Sequence, residues 1–582
     1  MSIAAIVALS AMAGVAVATV VLGALAHRAR STSDFLAAAR PVTVVANARA
    51  ISGEYLSAAS FLGVAGLILR DGADALWYPV GFTGGYLAFS LFVAAPMRRS
   101  GAYTVADFAD ARLASPPLRR VCTAFVLIIA LLYLLPQLQG AGLTVATISG
   151  LPSWVGVVSA AVVVAGTVVA GGMRSVTFVQ AFQYWLKLTA LAVPAILLIS
   201  YFFTTNRTLE APQAPQFVER TVVDVRTDVV LEVTEAVSLV ATGVVDGLVV
   251  HATPLTWVPG EHRVEGGSEL VFEAGDPVPT VAGAPSTDAA WVAPLSTPGG
   301  YGLLETYSLI IALFLGTMGL PHVLARFYTN PDGRTARRTA VGALAFVGGF
   351  YIVVVLLGAL SRLYTPHLLV SGDTDAAVLL LPSAVFGSGW LGATLAALVA
   401  AGAWAAFLST SSGLLASVAG VISTDVFGSG KVRDFRIAAA AACVVPLFLA
   451  LTVTRLDFSE AVALAFAVAA STFCPLLVLG IWWRGLTDHG AVAGVLVGGV
   501  LSAGAVAIAM TGMVDEQTWV GVLLNRPAIV SVPAAFLVMV LVSLRTARRR
   551  PMSAEQDLLR LHAPERLGLS LGKPPGTAQR RA

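Results

Sequence analysis

Four consecutive hydroxyl residues, Ser409-Thr410-Ser411-Ser412, lie well inside the apolar run AGAWAAFLSTSSGLLASVAGVISTDVF. Successive residues on a helix point about 100° apart, so only one or two of these hydroxyls can face a common site. Serine and threonine in apolar helices commonly bond back to their own backbone or to a neighbouring helix. The chemical alternative is a hard cation such as Na⁺, which is held by backbone carbonyls of a broken helix with a hydroxyl or two, and no formal charge is needed in such a shell. A source of carbonyls exists in VANARAISGEYLSAASFLGVAGLI, Val45 to Ile68, where Ser52-Gly53-Glu54-Tyr55 interrupts an otherwise apolar stretch. Glycine loosens a helix and a carboxylate at membrane depth is costly. A segment that only had to cross would avoid both; one that unwinds around an ion or solute would use them. Gly53 and Leu56 then offer carbonyls, and Ser409 and Thr410 hydroxyls. The competing reading is a helix-packing face of small residues with Glu54 near the interface.

Other polar residues in apolar surroundings have two readings each. Lys187, in AFQYWLKLTALAV, either draws an anionic solute or snorkels to the cytoplasmic face, and the sequence favours snorkelling. His322 follows Pro321 and is either a proton site or gate, or a satisfied helix-end histidine. Arg326 reads as an anchor at the cytoplasmic end of its helix. Tyr103 and Asp107 read as loop packing. Cys122, Cys443 and Cys474 all sit in apolar stretches and read as small buried hydrophobes. No His/Asp/Glu cluster has catalytic spacing within the apolar runs, and no glycine-rich phosphate loop occurs, so no enzyme is expected.

The elements that must position these groups are apolar spans. The chain has 582 residues, of which 57% are hydrophobic and 12% charged; a soluble protein carries about 25% charged residues. The net charge of +3 is too small to argue for nucleic acid. Apolar runs fall near 3–26, 45–68, 76–97, 120–144, 153–171, 179–203, 302–324, 340–364, 386–420, 436–453, 459–483, 490–511 and 528–544. Each approaches the ~20 residues that cross a bilayer, which predicts about thirteen transmembrane helices. Alternate loops are arginine-rich, from Arg28/Arg30 and Arg98/Arg99 through Arg334/Arg337/Arg338 to Arg545/Arg548/Arg549/Arg550. The positive-inside rule places these loops in the cytoplasm, the N-terminus outside and the C-terminus inside. The first helix lacks a basic leader and reads as retained, with cleavage near Ala24-Ala26 as the alternative.

Thr204 to Gly300 is long, polar and acidic, and its segments RTVVDVRTDVVLEV and GLVVHATPLTWV alternate as strands do. It reads as a small β-rich extracytoplasmic insert acting as a passive cap. Asn206-Arg207-Thr208 fits a weak glycosylation sequon. The tail from Pro551 is polar, with a short amphipathic piece over Glu555–Leu561. Once the first helix is set aside, the next ten form two sets of five, which enter the membrane in opposite directions, the condition for an inverted repeat. Each set opens on an interrupted helix: the Gly53 stretch, and LIIALFLGTMGLPHVLARF, broken by Gly316, Gly319 and Pro321. The domain organisation is therefore an extra helix over 1–30, a first repeat over 45–203, the insert over 204–300, a second repeat over 301–484, two peripheral helices over 485–546 and a tail over 547–582.

These stretches resemble the sodium/solute symporter family, most closely its acetate permease or monocarboxylate branch. The similarity runs in order through ISGEYLSAASFLGVAG, APMRRSGAYTVADFADARL, AGGMRSVTFVQ, GTMGLPHVLARFYTNPDGRTARRT, FLSTSSGLLASVAGVISTDVF and AFAVAASTFCPLLVLGIWWRGLTDHGAVAG. It implies an all-α polytopic membrane protein with a LeuT-like inverted-repeat core. It implies a sodium site at Gly53, Leu56, Ala406, Ser409 and Thr410. It implies a substrate pocket at Glu54, Tyr55, Ser57 and Ser60, with Thr317, Gly319 and His322 opposite. The implied activity is Na⁺-coupled uptake of a small monocarboxylate such as acetate, propionate or pyruvate. The protein is expected as a monomer in the lipid of the plasma membrane, with Na⁺ as coupling ion and no other cofactor. A proton-coupled carrier using Glu54 or His322, a sodium symporter of an amino acid or sugar, and a transporter-like sensor are the alternatives. Two departures stand out: Glu54 replaces an aspartate of close relatives, and nothing in the family pattern accounts for the insert.

Overall fold

A computed structural model of the chain describes residues 3–26, 43–102, 104–204, 215–217, 219–225, 228–295, 301–327, 329–428, 431–453, 458–509, 518–549 and 554–563. Tyr103, the Asn206 sequon and the end of the tail lie outside them. The first half comprises α1 (Ile3–Ala26), α2 (Val44–Tyr55), α3 (Val64–Asp71), α4 (Trp77–Phe92), α5 (Ala94–Ser100), α6 (Val105–Leu113), α7 (Pro116–Ser149) and α8 (Ser153–Thr204). After the insert and its α9 (Asp288–Val292) come α10 (Gly302–Gly319), α11 (Pro321–Phe327), α12 (Gly333–Tyr364), α13 (His367–Ser371), α14 (Ala377–Phe386) and α15 (Trp390–Val421). The chain ends on α16 (Val432–Thr452), α17 (Phe458–Trp482), α18 (Asp488–Ala509), α19 (Trp519–Asn525), α20 (Ala528–Arg545) and α21 (Ala554–His562).

Among the described residues, eleven helices are each long and apolar enough to cross a membrane, and twelve when the bent pair Val44–Tyr55 and Ala59–Phe92 counts as one span. The apolar run over 76–97 forms α4, whose sixteen residues fall short of a span alone. The backbone also stays helical through the loop expected at Arg174, so the spans Ser153–Gly171 and Ser175–Thr204 are parts of one α8. In the lipid-facing environment every backbone group needs an internal partner, and only unbroken helices supply one locally. The breaks in α2–α3 and α10–α11 therefore need side-chain partners.

The insert is a seven-stranded antiparallel sheet: β1 (Thr221–Val225), β2 (Val229–Val233), β3 (Val237–Val245), β4 (Leu248–Trp257), β5 (Gly260–Val264), β6 (Ser268–Phe272) and β7 (Thr280–Val281). The strand order is β1-β6-β3-β5-β2-β7, with β4 on β3. The alternation read from the sequence places Val223, Val225, Leu231, Val233, Leu239 and Ala241 inside, while Val222, Val230 and Val240 face out. The inward set shares one apolar core with Leu69 of α3 and Leu368, Leu369 and Val370 of α13. Trp291 of α9 donates its indole N–H to Ile68 O at 2.7 Å, and Arg362 of α12 pairs with Asp288 at 3.1 Å. The insert is thus clamped to the C-terminal end of the first broken helix. The amphipathic piece of the tail forms α21, whose Leu561 and His562 carbonyls accept from Arg99 at 3.3 and 3.1 Å.

Candidate functional site

The first break does not fall at Gly53. That residue is helical, and a Cβ there would collide with the carbonyl oxygen of Gln180 on α8. Glycine is needed for this close approach, not for flexibility. The helix ends at Leu56, which turns extended (φ −76°, ψ 93°), and resumes as a wider, π-type turn at Ala59–Gly63. The interruption releases three carbonyls, and each finds a side-chain donor. Gly53 O accepts from Ser409 Oγ at 2.7 Å and Glu54 O from Thr410 Oγ1 at 2.7 Å. Gly53 O and Leu56 O also accept from the Nζ of Lys187, at 2.5 and 2.6 Å. Of the five residues assigned to sodium, Gly53, Leu56 and Ser409 therefore surround one point. Ala406 joins through its carbonyl, 3.0 Å from Ser409 Oγ, and Thr410 is turned to Glu54 O.

Lys187 corrects the snorkelling reading. Its side chain is fully buried and its Nζ lies 2.5 Å from Ser409 Oγ as well as on the two carbonyls. The signal was available: Lys187 is eight residues into the apolar run read over 179–203, about 12 Å of helix, beyond the reach of a lysine stem to the cytoplasmic face. Arg326 does stand in the last turn of α11, but it faces inward rather than anchoring a surface. It is 1% exposed and pairs with Glu54 Oε2 at 2.5 Å, while donating to Thr177 Oγ1 and Gln180 Oε1, each at 2.6 Å. Gln180 closes the network by donating to Ser409 O at 2.8 Å. Glu54 thus faces α15, where a Cβ at Gly413 would meet its carboxylate, and its charge is engaged by Arg326.

On the other side of the break, Tyr55 meets the second broken helix. Its hydroxyl is 3.1 Å from Thr317 Oγ1 of α10. The second break falls at Leu320 (φ −68°, ψ 115°), between α10 and Pro321. Gly316 and Gly319 serve packing, since a Cβ at either would press on a carbonyl of α17 (Phe466 O at 2.5 Å, Ala469 O at 2.6 Å). Around the Tyr55–Thr317 contact stands an aromatic wall. Tyr55 packs edge-on to Tyr86, with centroids 4.7 Å apart, and to Phe82 and Phe466 at 5.9 and 6.3 Å. Ser60 bonds to Tyr351 of α12 at 2.8 Å. His322 lies over Tyr133 of α7, with centroids 5.3 Å apart, and neither ring nitrogen has a hydrogen-bond partner. One turn along α7, Gln137 caps the restarted helix by accepting from Ala58 N at 2.8 Å. Its Nε2 and the Tyr86 hydroxyl are buried without hydrogen-bond partners, while the Ser57 hydroxyl lies toward Tyr133. Tyr86 and Tyr351 were not legible as site residues, because each sits in a helix with no local irregularity to mark it; Gln137 follows Pro136 inside its helix, a signal that could have found it.

The sequence profile of the sodium:solute symporter family matches residues 35–254 and 276–498. The chain belongs to the sodium:solute symporter family. The gap in the match falls within the insert. Among curated relatives, the chain is 31% identical over 530 residues to an uncharacterized symporter, YwcA, of Bacillus subtilis, covering 88% of this chain and 89% of that protein. It is 29% identical over 551 residues to a monocarboxylic acid transporter of Corynebacterium glutamicum, covering 89% and 87%. Its fold is similar to that of a Na⁺-coupled sialic acid symporter in a substrate-bound outward-open state (TM-score 0.57, 14% identity, 92% of this chain and 98% of that one). It is also similar to MHP1, a nucleobase-cation-symport-1 family transporter in a closed conformation (TM-score 0.51, 11% identity, 90% and 98%). Family and fold are those of symporters in membranes, built here as a mostly helical, multi-pass chain with a small sheet.

Proposed function

We propose that this symporter carries a small monocarboxylate such as acetate, propionate or pyruvate into the cell, driven by an inward cation gradient, with Na⁺ the ion to which family membership points. The observation that carries the reading is the meeting of the two broken helices at Tyr55 and Thr317, beside a cage of released carbonyls and hydroxyls. The relative from Corynebacterium glutamicum supports the substrate class. The substrate carboxylate would be held by Gln137 Nε2, a donor without a protein partner, and by the Ser57 hydroxyl, with His322 beside them. Unpaired buried donors cost free energy until a ligand satisfies them. The short apolar end of the substrate would lie against Tyr55, Phe82 and Phe466. The membrane potential supplies about 2.3 kcal/mol per charge per 100 mV, and the two halves would rock as inverted repeats around the fixed site.

The test is labelled acetate uptake into proteoliposomes under an inward Na⁺ gradient, in competition with propionate, pyruvate, proline and glucose. Carboxylates are expected to compete, and proline and glucose to leave uptake unchanged; competition by proline or glucose alone would reassign the substrate. Ser409→Ala with Thr410→Ala is expected to abolish uptake at low Na⁺, and survival of uptake would remove the cage from the coupling mechanism. In the proton-coupled alternative His322 is the better carrier, because Glu54 is engaged by Arg326; a pH step in Na⁺-free buffer would then drive uptake.

A further inference from the structure

The oxygens at the first break already surround the Nζ of Lys187. The ammonium of Lys187 has three N–H donors and no acceptor, and three acceptors stand around it: Gly53 O, Leu56 O and Ser409 Oγ at 2.5, 2.6 and 2.5 Å. Ser409 accepts from Lys187 while donating onward to Gly53 O, so its one hydroxyl serves both contacts. The lysine enters from α8, whose backbone is drawn against α2 at Gly53, where a Cβ would strike Gln180 O. The nearby carboxylate, Glu54, is hydrogen-bonded to Arg326, and the contacts of Nζ itself are with carbonyl and hydroxyl oxygens. Nothing in the ion-pair network changes the fact that a sodium ion on these three oxygens would stand in the place of Nζ itself.

We propose that the Lys187 ammonium is the resident cation of this cage, and that it and a sodium ion are alternative occupants. Sodium takes Gly53 O, Leu56 O and Ser409 Oγ only when the lysine head has left them. The inference rests on the proposed function only in taking the cage as the coupling-ion site, and it adds a competitor tethered to the protein. A chain without the ammonium presents the same oxygens with nothing on them, and should bind sodium more tightly.

The measurement is equilibrium binding of radiolabelled sodium to the purified full-length protein at one fixed neutral pH. It compares wild type, Lys187→Met, Lys187→Gln and Lys187→Met combined with Ser409→Ala. Lys187→Met keeps the apolar stem and is expected to gain about tenfold or more in sodium affinity. The added Ser409→Ala should remove that gain. Sodium-dependent protection against thermal unfolding should follow the same order, and Lys187→Gln serves if the Met variant does not fold. Equal sodium affinity in wild type and both Lys187 variants overturns the proposal, as does a gain that survives Ser409→Ala or an absence of sodium binding in every chain. Failure of the carrier reading shows separately, as no labelled acetate uptake under any gradient, and leaves the binding comparison intact.

Discussion

At the residue scale, the buried charges at the first break are arranged in two linked groups. Lys187 sits on carbonyls and a hydroxyl, while Arg326 holds Glu54, with Gln180 bridging from Arg326 to the Ser409 carbonyl. Removing one member of a buried ion pair leaves an uncompensated charge and costs about 3–5 kcal/mol, whereas removing both can be nearly neutral. Arg326→Met is therefore expected to lower the melting temperature sharply, and Glu54→Gln with Arg326→Met to recover most of it. Melting curves of the two purified variants check this. Identical curves would mean that the pair does not carry the cost.

At the element scale, two helices are broken for different local reasons. The second follows from Pro321, which cannot donate into the preceding turn. The first has no proline; its broken ladder is sustained by Gln137, Ser409, Thr410 and Lys187, which replace the missing backbone partners. The serine run accordingly divides: Ser409 and Thr410 reach across to α2, and Ser412 bonds back to Ser409 O at 3.0 Å. The insert tethers the C-terminal end of the same broken helix through Trp291. Truncating a buried tryptophan costs about 3–5 kcal/mol. Trp291→Ala should loosen the insert, seen as faster tryptic cleavage at Arg220 and Arg263, while Trp291→Phe should show a smaller change. Unchanged cleavage in Trp291→Ala would mean that the sheet is held by its shared core alone.

The α12 start offers a pH test at the same scale. Asp332 accepts from Thr335 N at 2.6 Å, and that N–H holds its carboxyl below the usual carboxylate range. A depressed folded value means the cap contributes fully above the unfolded aspartate range and fades as pH falls through the lower folded value. Asp332→Ala should cost about 1 kcal/mol at neutral pH, and a melting series should show the gap to wild type closing in acid. A gap that stays constant in acid would rule out the carboxylate as its source.

At the scale of the whole molecule, the arginine bias of alternate loops gives an orientation that can be tested directly. In a chain whose three cysteines are replaced by alanine, a cysteine at Glu235, in the exposed β2–β3 turn, is expected to react with an impermeant maleimide on intact cells. A cysteine at Arg548 should react only after permeabilisation. The reverse pattern would invert the topology, and with it the outward placement of the sheet.

The sequence alone determined the membrane class and the β-rich insert, because hydropathy and alternation are local quantities that each segment carries by itself; the number of spans it overestimated, since a short apolar run does not show whether it crosses alone. It also marked Gly53, Leu56 and Ser409, since a helix break and a hydroxyl in an apolar run are visible in one dimension. Only the tertiary structure decided what those oxygens face. Lys187 lies 131 residues from Leu56 and 222 from Ser409, and Arg326 lies 272 from Glu54. A buried charge is placed by whichever distant group can satisfy it, and that choice depends on how the helices pack, which no single stretch of the chain contains.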